Sequence, residues 1–115
     1  MVLTQTAAWM VLVVAGLMEI VWSIGMKYSQ GFTRIGPSIT TFVAAGISFW
    51  LLAAAVKVLP VGTAYAAWTG IGAVGAAVLG IILFKEPATI GRIVCILLIV
   101  GGTVGLKLLG PDANA

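Results

Sequence analysis

The sequence predicts an all-α integral membrane protein with four transmembrane helices, and three observations carry that prediction. Hydrophobic residues make up 62% of the 115 positions and charged residues only 8%, whereas a soluble domain carries about 25% charged residues. Mean hydropathy is +1.22, so the chain cannot cover itself with polar surface and its solvent is lipid. The apolar residues also fall into four runs, each near the ~20 residues needed to cross a ~30 Å hydrocarbon core. The spans are helical because backbone polar groups in lipid must be satisfied within the segment, and the alternation of a barrel strand is absent.

The first span covers about 7–26 and ends at Lys27, followed by YSQGFTRIGP with Gly31, Gly36 and Pro37 as breakers. The second, about 38–56, is uncharged and stops at Lys57, where KVLPVG turns the chain through Pro60 and Gly62. The third, about 63–84, is also uncharged and ends at KEPATIGR. The fourth runs over about 90–109, and Arg92 and Lys107 near its ends must snorkel toward the interfaces. Residues 1–115 thus read as one four-helix transmembrane domain.

Charge and cysteine content narrow the function classes. A net charge of +3 would suggest nucleic acid in a soluble protein, but beside long apolar runs six basic residues set membrane orientation. Lys27, Arg34, Lys85 and Arg92 lie on one face; Lys57, Lys107 and the terminal amine lie on the other. That bias is weak, so insertion in both directions stays open beside a single orientation. The lone Cys95 cannot form an intrachain disulfide. A cleaved leader is not expected, since residues 1–8 lack a basic region and Glu19 interrupts the apolar stretch. With no histidine, no metal cluster and no nucleophile–base pair, enzyme chemistry is not expected. No cofactor is implied, and no ring of charges or carbonyl filter suggests a channel.

The informative residue is Glu19, the only ionisable side chain between Ala7 and Met26. A carboxylate at membrane depth costs a few kcal/mol or more, and such residues mark ion and proton pathways. Burial disfavours the charged form of an acid, so one carboxyl group can hold a proton or a cation in turn. Mutually exclusive ligands on one group are a physical basis for exchange. The alternative is a structural acid, protonated or hydrogen-bonded to a neighbouring helix.

Helical spacing places Ala15, Gly16, Trp22 and Ser23 on the face of Glu19. Small residues at 15 and 16 admit a helix or ligand closely, and Trp22 brings an indole donor on an apolar body. In the third span, Tyr65 and Trp68 share a face. They fit either a cation site, through ring faces and hydrogen bonds, or an interfacial aromatic belt. Ser48, mid-helix in the second span, either bonds back to its own helix or serves the site.

Glycines carry the remaining signals. GIGAVG at 70–75 satisfies G-x-G-x-x-G, but the residues before it are helical and the next acid, Glu86, is too near for dinucleotide binding. Gly70, Gly72 and Gly75 instead permit bending, as a hinge, or close packing. Gly101 and Gly105 in the fourth span form a small-xxx-small pair and read as an association face. Four helices with one acid make a thin wall for a pathway, so two copies are expected.

WMVLVVAGLMEIVWSIGMKYSQGF, LPVGTAYAAWTGIGAVGAA and the terminal GLKL resemble the small multidrug resistance family, and more narrowly its guanidinium-exporter branch. The likeness covers roughly Trp9–Leu109, and the tryptophan three residues after the glutamate separates this branch from the quaternary-ammonium branch. It implies an antiparallel, dual-topology homodimer exchanging protons for guanidinium across the bacterial inner membrane. Position by position, Glu19 matches the shared proton and substrate acid, and Trp22 and Ser48 the residues that hydrogen-bond it. Tyr65 matches the tyrosine that switches between protomers, Trp68 the pocket aromatic, and Lys107 the lysine of GLKL, with no substrate role. The departures are the longer amino terminus MVLTQT, the tail PDANA, and Ala67 where a larger aliphatic is usual. A broader multidrug cation exporter of the same family is the alternative.

Overall fold

The computed structural model describes residues 3–109; the terminal amine and the tail PDANA lie outside them. Four helices follow one another: α1 (Gln5–Tyr28), α2 (Ile35–Ala55), α3 (Val61–Phe84) and α4 (Ile90–Leu109). At ~1.5 Å per residue they are about 30–36 Å long, matching the bilayer core. Each is long and apolar enough to cross a membrane.

The helix ends show which residues stop a helix and which only shape its entry. Thr4 caps α1, its Oγ1 accepting from Ala7 N–H at 3.1 Å. After Tyr28 the chain turns through Gln30, Gly31 and Phe32, all at positive φ (50°, 73° and 66°). Only Gly31 adopts that region freely, so Ser29 braces the turn. It is fully buried, donates to Met26 C=O at 2.6 Å and accepts from Phe32 N–H at 3.0 Å.

Gly36 and Pro37, expected as breakers, lie instead in the first turn of α2, which begins at Ile35. Proline is tolerated there because the first-turn N–H groups have no helical acceptor. The same holds for Gly62, which lies inside α3 behind Pro60, the residue preceding its first turn.

α1 packs against both α2 and α3, while at backbone distance α4 approaches only α3. The core gathers Ala8, Trp9, Leu12 and Ala15 of α1, Ala55 and Leu59 at the end of α2, and Ala64, Ala67 and Trp68 of α3. Five of these nine are alanine, and small residues let helices approach where no hydrophobic force drives them together. Ala67, the departure from the family's pattern, is fully buried here.

Glycines extend the same close fit along α1. Gly16 receives Ile71 and Gly25 receives Thr41. Gly75 receives Ile20, and Gly70 receives Thr103 of α4. The stretch 70–75 therefore runs inside one uninterrupted helix as a packing surface, with no strand before it.

The result is a slab, 45 × 36 × 16 Å across its principal axes, rather than a closed bundle. α4 contributes no buried residue. An added Cβ at Gly101, Gly102 or Gly105 would meet open space. A groove of about 780 Å³ separates α1 from α4, bridged where Lys107 Nζ lies 5.5 Å above the Trp9 ring.

Because Ile71 already fills the space over Gly16, Gly16→Leu is expected to lower stability by about 1–3 kcal/mol through overpacking. Thermal unfolding in detergent reads this. The exposed Ile39→Leu serves as control and should stay within about 0.5 kcal/mol.

Candidate functional site

Glu19 projects from the middle of α1 onto the backbone of α3. Its carboxylate lies against Gly72, where any Cβ would collide with it. Only glycine at 72 leaves this room, so the second glycine of the 70–75 stretch has a role beyond helix packing. Glu19 Oε1 is buried and bonds to no described residue.

One turn along, Trp22 Nε1 is also buried without a partner. A buried acceptor and a buried donor, on residues one helical turn apart and each without a partner among the described residues, each forgo about 1–3 kcal/mol. Such pairs belong at sites that take another group.

Ser48 does not bond back to its own helix. Its hydroxyl donates across the helix interface to Ala15 C=O at 2.7 Å, and it accepts from Trp68 Nε1–H at 3.0 Å. A serine has one O–H to give, and Ala15 holds it. Ser48 therefore does not bond Glu19 in this arrangement, contrary to the role its family match implies; it pins α1, α2 and α3 together one turn below the acid. To donate to the carboxylate it must first leave Ala15.

The same bond bears on the placement of Trp68. It is buried, with its donor engaged inside the protein, which is not the placement of an interfacial belt. Tyr65 is exposed, its ring 5.5 Å from that of Trp68. Gly16 does not open onto the site, because Ile71 fills the space above it.

A residue that the sequence did not single out completes the aromatic wall. Phe49 of α2 stacks on Trp22 at 6.4 Å and tilts against Trp68 at 5.2 Å, linking Trp22, Phe49, Trp68 and Tyr65 into one row. Neighbours on a helix point about 100° apart. Phe49 follows Ser48 directly yet shares no face with it in a spacing argument. Trp50, equally aromatic, is 76% exposed and takes no part in the row. Glu19 is thus an acid at membrane depth, beside a row of π faces that attract cations.

The family model described as small multidrug resistance protein matches residues 7–99. The chain belongs to the small multidrug resistance family. A protein named guanidinium exporter in Yersinia pseudotuberculosis is 59% identical over 101 residues, covering 88% of this chain and 97% of that one. Its namesake in Citrobacter freundii is 56% identical, covering 88% of this chain and 96% of its own. With four helices able to cross a bilayer, this member of the family is a multi-pass protein of the bacterial inner membrane.

Ser48→Ala would strand the Trp68 indole N–H and cost about 1–3 kcal/mol. The expected outcome is a lower unfolding temperature together with a shifted Trp68 indole N–H resonance. An unmoved resonance would show that the bond is not made in solution.

Proposed function

We propose that this protein exports guanidinium in exchange for protons, by alternating access, with Glu19 as the group both ligands share. The observation that carries the reading is the carboxylate of Glu19 against Gly72, with its Oε1 buried and unpartnered among the described residues. The names of the relatives support the choice of cation.

The chemistry of the ligand fits that acid. Guanidinium is planar, stays charged near neutral pH and presents forked N–H donors that pair bidentately with a carboxylate. It is weakly hydrated, which lowers the cost of entering an apolar site. A carboxylate offers about four lone-pair positions. Glu19 can therefore accept the guanidinium fork and the idle Trp22 N–H together, while Trp22 and Phe49 offer ring faces to the charge. A quaternary ammonium ion has no N–H and gains only the ring contacts and the Coulomb attraction.

A proton on Glu19 removes the charge that holds the cation, and the bound cation disfavours the proton. Loading on one side and proton arrival on the other then couple the two flows. In this reading Trp22 and Ser48 orient the acid, Ser48 doing so by exchanging its Ala15 bond for one to Glu19. Trp68 and Phe49 line the pocket, and Tyr65 marks its edge. Gly70 and Gly75 permit α3 to bend.

We infer further that two copies pair antiparallel, as a dual-topology homodimer. The weak bias of Lys and Arg between the two faces is compatible with insertion both ways. The uncovered α4, with Gly101 and Gly105 on an open face, offers a surface for the second copy. Two Glu19 side chains facing one cavity would titrate as a pair.

In proteoliposomes with an imposed proton gradient, the wild type is expected to accumulate guanidinium but not tetramethylammonium, and Glu19→Gln neither. Coupled guanidinium uptake at wild-type rate by Glu19→Gln would overturn the proposal.

A further inference from the structure

α4 has no buried residue and at backbone distance packs only along α3, with Thr103 over Gly70, so the joint that connects the two helices has a large share in setting its direction. That joint, KEPAT at 85–89, is tied at both ends. Lys85 ends α3 in the left-handed region, at φ 55° and ψ 36°. The N–H groups of Lys85 and Glu86 both donate to Gly80 C=O, the latter at 3.3 Å. This reversal folds the Glu86 side chain back along α3, where its carboxylate covers the buried Gly80; a Cβ at that position would collide with it.

The same carboxylate reaches forward. Glu86 Oε1 accepts from Arg92 Nη2 at 3.0 Å, in the first turn of α4. Thr89 Oγ1 accepts the Arg92 backbone N–H at 3.3 Å, capping that turn. Pro87 holds Glu86 away from helical backbone, so α3 cannot simply run on into α4.

An isolated half-exposed ion pair contributes little, because two long side chains must be ordered to make it. Here the backbone turn has already ordered one of them against Gly80. Glu86 is therefore a strut between residue 80 of α3 and residue 92 of α4.

We propose that Gly80, Glu86 and Arg92 form a clasp that makes the last turn of α3 and the first turn of α4 one rigid unit. α4 then moves only together with the end of α3, and any bending falls before Gly80, in the stretch holding Gly70, Gly72 and Gly75. Gly80 is required because its missing side chain is the seat of the carboxylate. The clasp is independent of what the protein transports.

The test is an intrachain distance distribution between spin labels at Ile82→Cys and Leu98→Cys, in a Cys95→Ser background diluted with unlabelled protein in nanodiscs. With the clasp intact, one narrow distribution is expected. Glu86→Gln and Gly80→Ala should each broaden it, and the double variant should broaden it no further, because both remove the same strut. Amide exchange over 85–93 should accelerate at least tenfold in each. Arg92→Lys, which keeps the charge but loses the fork, should give an intermediate width and is the variant to use if Glu86→Gln does not fold. A broad distribution in the unsubstituted clasp, or unchanged width and exchange in the variants, would overturn the proposal. So would additive broadening in the double variant.

Discussion

The contact between the Glu19 carboxylate and Gly72 is the constraint on which the rest of the arrangement turns. An ionisable group at membrane depth must be met by the protein, since lipid offers it nothing. α3 meets it with a missing side chain rather than with a hydrogen bond. One carboxylate oxygen is thereby buried but not satisfied, and the Trp22 Nε1–H one turn away is left in the same condition. Enclosing a carboxyl group while leaving its lone pairs free keeps it available to an outside partner. Had Ser48 been bonded to it, a ligand would first have to displace that bond; instead the serine hydroxyl is held by Ala15 and steadied by Trp68.

Small residues serve two ends in this chain. Along α1, Ala8, Ala15, Gly16 and Gly25 bring α2 and α3 close enough for side chains to interlock. Ile71 over Gly16 and Ile20 over Gly75 lock α1 to α3 on either side of Glu19. On α4, Gly101, Gly102 and Gly105 meet nothing among the described residues. Both sets contain the same residue type, and only the tertiary arrangement tells a filled glycine from an open one. The slab shape follows: α1, α2 and α3 interlock, and at backbone distance α4 lies along α3 alone, with Thr103 over Gly70 and the Glu86 joint at its start.

What the residues disclosed in advance follows from the solvent. Lipid forces apolar runs of fixed length, so the four spans were legible from hydropathy alone. Glu19 stood out because a single acid in such a run is costly to place and therefore more often functional than structural. The ends of the helices were less legible. Pro37 and Gly62 look like breakers but sit in first turns, where a missing N–H or a missing side chain does no harm. Ser48 was ambiguous because its partner, Ala15, lies 33 residues away. Phe49 was hidden beside it because adjacent helical positions diverge. Gly16 read as room for a helix or a ligand, and only the packing revealed that Ile71 of α3 occupies it. Glu86 read merely as an acid in a loop, since its seat on Gly80 needs the left-handed turn at Lys85.

The central claim is that one buried carboxyl group serves protons and a planar cation by turns. The most direct test is to titrate weakly buffered, purified protein with guanidinium and follow proton release. The account predicts saturable release whose midpoint moves to higher guanidinium concentration as the solution is made more acidic, and no release from Glu19→Gln. Saturable guanidinium binding without proton release at any pH between 6 and 9, or equal release from the glutamine variant, would contradict it.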